Sequence, residues 1–94
     1  MVNKEKLDYL RDISKDMILI GNETDREKHL DAVIGYDLIG NRAVYDYDLL
    51  VDSFARNLSC TTDEAVDWIV YNVLGSLPNF GEKAPLVIVN INEG

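Results

Sequence analysis

The stretch Val44-Tyr45-Asp46-Tyr47-Asp48, with Asp52 one helical turn further on, gathers the residue types that hold a hard divalent cation: three carboxylates near one helix start. The same three are also explained without a ligand. Asp46 caps the helix, Asp48 sits in its positive first turn and Asp52 lies on its outer face. Asp63, Glu64 and Asp67 repeat the arrangement on the next helix, where the first-turn preference for acids again accounts for them. That preference leaves one fact over: two neighbouring helices begin acidic with almost no lysine to balance them, although like charges one turn apart repel by a few tenths of a kcal/mol. Tyr45 and Tyr47 alternate with these aspartates. Tyrosines between carboxylates suit an arginine-rich protein surface, combining cation–π contact with charge-assisted hydrogen bonds.

Other chemistries find poor material. His29 is the only histidine and stands beside a charged connector, which places it at the surface or at the start of a strand rather than as a base. Cys60 is the only cysteine, so no intramolecular disulfide forms; it precedes a helix start, with no partner in range, and packing in a buried turn is its expected fate. Gly35, Gly40, Gly75 and Gly81 are neither clustered nor followed by Lys-Ser or Lys-Thr, so no phosphate-cradling loop is present. No catalytic set, metal site or cofactor is assigned.

The charge is lopsided. The 94 residues carry a net −8, and residues 29 to 81 hold eight carboxylates against Arg42 and Arg56 alone, while the first 28 residues are close to balanced. Such a segment favours basic partners and disfavours bare nucleic acid. No apolar run approaches the ~20 residues of a membrane span, and no secretory leader is evident, so a cytoplasmic protein is expected.

The positioning elements follow from spacing. Leu7, Leu10, Ile13, Met17 and Ile20 predict a helix over 4–20, within an N-terminal segment 1–22. Glu23 to Lys28 reads as a connector. From Leu30, alternation puts Leu30, Ala32, Ile34 and Tyr36 on one side of a strand; Gly40-Asn41 turns the chain into a second strand, Arg42 to Tyr45. Tyr47, Leu50, Val51, Phe54 and Leu58 line one face of a helix capped by Asp46. Thr61 with Glu64 is a capping box, so a third helix starts at Thr62, with Ala65, Trp68, Ile69, Tyr71, Val73 and Leu74 as its apolar set. Gly75 to Pro85 is a loop. Leu86 to Ile91 is the most β-prone stretch and is expected to be a strand covered on both faces or a central one, pairing beside the first strand. The sum is one α+β domain over 1–94, with its core in 29–92: a three-stranded, mainly antiparallel sheet and three helices in the order α-β-β-α-α-β.

The Val44 to Asp48 pattern, Thr62-Asp63-Glu64-Ala65-Val66-Asp67-Trp68 with Tyr71-Asn72-Val73, and Gly81-Glu82-Lys83-Ala84-Pro85 together resemble a group of small phage and prophage proteins, over roughly residues 31 to 91. The resemblance transfers no site. It implies a mobile-element origin and, by analogy with other small acidic phage proteins, an inhibitor that occupies a host protein in the manner of anti-CRISPR proteins and DNA mimics. The expected function is therefore non-enzymatic: binding of a basic host protein or nucleoprotein complex by Asp46, Asp48, Asp52, Asp63, Glu64 and Asp67 around Tyr45 and Tyr47, without direct contact to nucleic acid or membrane. The alternatives are a self-associating structural module, as a homodimer, and a carboxylate-based metal-dependent enzyme.

Overall fold

The computed structural model describes residues 2–22 and 24–91. Met1, Glu23 of the expected connector and residues 92–94 lie outside the described set. Along the chain run helix α1 (Asn3–Ile13), a 3₁₀ segment (Lys28–Ala32), strands β1 (Val33–Tyr36) and β2 (Ala43–Asp46), helix α2 (Tyr47–Leu58), helix α3 (Thr62–Trp68), a π turn (Ile69–Leu74), a second 3₁₀ segment (Leu77–Lys83) and strand β3 (Leu86–Ile88). The architecture is α+β, with more helical segments than the three expected.

Helix α1 ends at Ile13, seven residues before the boundary expected from spacing. Ser14 turns extended while its N–H still bonds Leu10 O, and Arg11 Nη1 donates to Lys15 O at 3.0 Å and Met17 O at 2.7 Å. The guanidinium thus holds the chain in a reversal, and Met17, Leu19 and Ile20 enter the core from an extended segment. The Tyr45 phenol accepts the Ile20 N–H at 2.9 Å, fastening that segment to β2. Four consecutive apolar residues at 17–20 were the signal for extended chain, which helical spacing masked.

Leu30 and Ala32 are buried as expected, but in the 3₁₀ turn rather than in a strand. Lys6 Nζ caps that turn, donating to Leu30 O at 2.8 Å and Val33 O at 3.1 Å. The pairing of β1 with β2 is irregular between Val33 and Gly35, so Val33 is buried and Ile34 exposed, which reverses the alternation anticipated for Ile34. Asp37 organises the hairpin: its Oδ2 accepts from Gly40 N at 2.9 Å and Arg42 Nε at 3.2 Å. These bonds, the Gly40 N–H first, hold its carboxyl below the ordinary value.

The sheet is mixed, in the order β1-β2-β3. β1 and β2 are antiparallel, whereas β3 runs parallel to β2 with Tyr45 opposite Val87. The last strand therefore pairs with the second, not the first, and is a short edge whose Ile88 is exposed, not a strand covered on both faces. A parallel neighbour needs a long crossover; α2, α3 and the following turns supply it.

Asp46 caps α2, accepting Leu49 N at 3.0 Å, and Thr61 and Glu64 complete the capping box of α3. Leu50, Val51 and Phe54 are buried on α2, but Leu58 is exposed. On the next helix the buried residues are Ala65, Ile69 and Val73, while Trp68 and Tyr71 face out, contrary to their expected place in the core. Steps of four overshoot an α-helical turn by about 40°; the wider π turn at 69–74 takes up the drift and keeps the three in line.

Candidate functional site

The acidic residues fall into two groups. Asp48 and Asp52 share the outer face of α2; Asp63, Glu64 and Asp67 share the outer face of α3. Only Ser59, Cys60 and Thr61 separate the helices, so α3 begins where α2 ends. The two helix starts are then separated by the length of α2, about 18 Å for its twelve residues. They do not form the continuous patch expected of them.

Two expected members of that patch are not on the surface at all. Tyr45 is buried, with its phenol on Ile20 N, and desolvation pushes it up to about 12. Asp46 is buried in its capping role. Both sit where β2 passes under α2, which a surface reading of the alternating Tyr-Asp pattern overlooks. Tyr47 is half-buried against the core. Glu64 is exposed but engaged, its Oε1 accepting from Thr61 N at 3.1 Å and Thr61 Oγ1 at 3.0 Å; the Thr61 N–H, chiefly, holds its carboxyl below the ordinary value.

In place of the tyrosines at the β2–α2 junction, α3 and the π turn that continues it present their own aromatics. Trp68 is 45% exposed and Tyr71 80%. Helical spacing puts Asp67 one turn from both Asp63 and Tyr71 in one row, and Trp68 one turn from Glu64 in the neighbouring row about 100° round the axis, so acids and aromatics form a stripe two rows wide. Arg42 pairs with Asp37 and Arg56 with Asp31 at 3.4 Å; neither neutralises the stripe.

Behind Trp68 lies a half-open cleft of about 320 Å³, lined among others by Asp25, His29, Phe54, Asn57 and Asn72. His29 is only 3% exposed, not the surface residue expected. Its ring stacks on Phe54 at 4.1 Å, and Nδ1 lies 2.8 Å from Ser53 Oγ. A serine beside a histidine at this distance has the outline of a nucleophilic dyad. Oγ also lies 3.3 Å from Lys28 O and 3.4 Å from Asn57 Nδ2, so its one hydrogen has two acceptors to choose between, Lys28 O and, at the shorter distance, Nδ1. Ser53 is also fully buried, out of reach of any substrate.

With the hydroxyl hydrogen on Lys28 O, Nδ1 carries the imidazole hydrogen and Nε2 the lone pair; with it on Nδ1, the two nitrogens exchange roles. Among the described residues Arg26 Nε is the only sealed-off side-chain polar atom without a partner, so Nε2, which has no protein partner either, meets the cleft. Burial pushes the imidazole below its ordinary value, opposed by Asp25. Gly21 crosses the ring edge at φ +110°; a Cβ there would stand 3.1 Å from Arg26 N and 3.2 Å from His29 Cδ2, so a side chain would be strained by conformation and crowded by its neighbours. The run of charged residues around position 29 concealed this site, because its partners, Ser53 and Phe54, come from α2.

Among the described residues no three His, Cys, Asp or Glu side chains gather into a group able to hold a metal ion, and no helix is long and apolar enough to cross a membrane. Comparison with family models, curated proteins and solved structures finds no match to the chain.

Proposed function

We propose that this chain is a non-enzymatic binding module whose partner is a basic protein surface, met by the outer face of α3. The observation that carries the reading is the stripe of Asp63, Asp67, Trp68 and Tyr71, where exposed aromatic area and unneutralised carboxylates share one helix face. Aromatic anchors contribute much of the energy in protein interfaces, and surrounding charge steers encounter. The resemblance of the chain to small phage proteins extends the proposal to a phage-encoded inhibitor acting in the host cytoplasm, where it occupies a basic nucleic-acid-binding surface of a host protein or defence complex.

The test is affinity capture from host lysate with the wild-type chain, the double variant Asp63→Lys/Asp67→Lys and the variant Tyr71→Ala, at low salt and at ~0.5 M, where screening is nearly complete. The reading expects one basic protein, lost with either variant and at high salt. A capture indifferent to salt and to both variants sinks it.

A second reading, self-association, is favoured by the hairpin tip, where Leu38 is 82% and Ile39 97% exposed, next to the open edge of β1. Light scattering separates the two: the first reading holds for a monomer, the second requires a dimer that Leu38→Ser/Ile39→Ser dissociates.

A further inference from the structure

The cleft beside His29 offers hydrogen-bonding atoms of nearly one sense. Asn57 Nδ2 donates to Ser53 O at 2.7 Å and Asn72 Nδ2 to Trp68 O at 3.1 Å. A carbonyl accepts only the N–H side of an amide, so both side chains are oriented, and Oδ1 of each is left without a partner. His29 adds Nε2, an acceptor in the tautomer that sends the Ser53 hydroxyl hydrogen to Lys28 O. Asp25 adds a carboxylate, the one charged side chain among the lining residues, paired with Lys28 at 3.7 Å and partly exposed. Against these four acceptors the lining side chains hold one whole uncommitted donor group, the indole N–H of Trp68. An occupant must therefore be rich in donors, and a positive charge on it meets Asp25 and a protein of net charge −8.

We propose that this cleft receives an arginine side chain of the partner, its guanidinium stacked on Trp68 and donating to His29 Nε2, to Oδ1 of Asn57 and Asn72 and to Asp25. The inference rests on the reading that the partner is basic, and it names which residue of that partner enters the domain. Arginine fits better than lysine. Its five N–H groups lie in one plane, matching acceptors spread around a slot, and that plane stacks on an indole face. A volume of about 320 Å³ is at the small end of ligand cavities, suited to one side chain. The cleft is also continuous with the α3 stripe, since Trp68 belongs to both. Burial keeps His29 neutral, so the imidazole does not repel the cation.

The experiment titrates the full chain with the blocked peptide Ac-Gly-Arg-Gly-NH2, and with its citrulline and lysine counterparts, at constant ionic strength. Trp68 and His29 are the only residues of their types, so tryptophan fluorescence and the imidazole NMR signals report on the cleft without assignment. Saturable movement of both signals is expected, with the arginine peptide bound at least tenfold more tightly than either counterpart. Asn72→Lys, at the exposed rim and outside the core, should weaken binding at least tenfold; His29→Gln should do the same where it folds. Equal affinity for the citrulline or lysine peptide, or His29 signals that do not move, overturns the proposal. Failure here is distinct from failure of the α3 reading. An unmoved His29, with partner capture still abolished by Asp63→Lys/Asp67→Lys, removes the cleft alone. Peptide binding in a chain whose capture ignores that double variant removes the stripe alone.

Discussion

Lowering the pH from 7.5 to 5.5 should destabilise this protein through one group, His29. Its imidazole is held below the ordinary 6.5 by burial. The unfolded chain therefore binds a proton near pH 6.5 that the folded chain refuses until lower pH. Stability is intact above 6.5 and falls as the pH descends from 6.5 toward the folded value. If the folded form stayed wholly neutral at pH 5.5, linkage would set a ceiling of about 1.4 kcal/mol on the loss. The cleft admits water to the ring and Asp25 partly offsets the burial, so the loss should fall below that ceiling. The carboxyls of Asp37 and Glu64, with ordinary values of 3.8 and 4.5 and folded values below them, contribute their loss only at lower pH, outside this window. The assay is urea unfolding at pH 7.5, 6.5 and 5.5, beside an NMR titration of the single histidine, with His29→Gln as the control that abolishes the slope. A histidine titrating above 6.5, or a wild-type stability that is flat or rising on acidification, refutes the buried neutral imidazole.

Tyr45→Phe leaves the Ile20 N–H without its acceptor, which should cost about 1–3 kcal/mol and lower Tm by roughly 4–8 °C per kcal/mol; thermal unfolding by circular dichroism measures it, and an unchanged Tm would mean that residues 17–20 are not fastened to β2. Asp46→Ala should cost about 1 kcal/mol as a lost helix cap, whereas Asp52→Ala, on the solvent face of α2, should stay within about 0.5 kcal/mol; equal effects in urea titrations would contradict the split between capping and outward carboxylates. Leu38→Ser/Ile39→Ser should leave the unfolding midpoint within the same ~0.5 kcal/mol, since neither side chain is packed, and sedimentation velocity shows whether the pair holds two copies together.

Local chemistry was legible in the sequence and long-range placement was not. The Asp46 cap and the Thr61–Glu64 box were readable because each is satisfied within three residues. The partner of β3 was not, because a three-residue strand pairs by whatever edge the crossover leaves open, and nothing inside Leu-Val-Ile encodes a parallel neighbour. His29 failed for the same reason: its neighbours in sequence are charged, while its neighbours in space are Ser53 and Phe54, 24 and 25 positions on. The outward turn of Tyr71 was in fact legible, since two residues on from the buried Ile69 is the opposite side of a helix; that of Trp68 was not, because it lies one residue from Ile69 at the margin of the buried face and its large apolar ring favours a place in the core.

The net charge understates what α3 presents to a partner. Several cations of this chain are engaged internally: Lys6 and Arg11 on backbone carbonyls, Lys28 beside Asp25, Arg42 on Asp37, Arg56 beside Asp31. None of them lies against Asp63 or Asp67. At physiological ionic strength the screening length is about 8 Å, which is longer than the 5–6 Å between neighbours one helical turn apart and much shorter than the roughly 18 Å that α2 puts between the two helix starts. Asp63, Glu64 and Asp67 therefore act on an approaching partner as one charge cluster, from which Asp48, in the first turn of α2, is screened. A partner seated on the α3 stripe feels that cluster and little of Asp48, so its affinity should respond to salt as if fewer carboxylates were involved than the five that the two helices expose. Asp48→Lys should change that response far less than Asp67→Lys does.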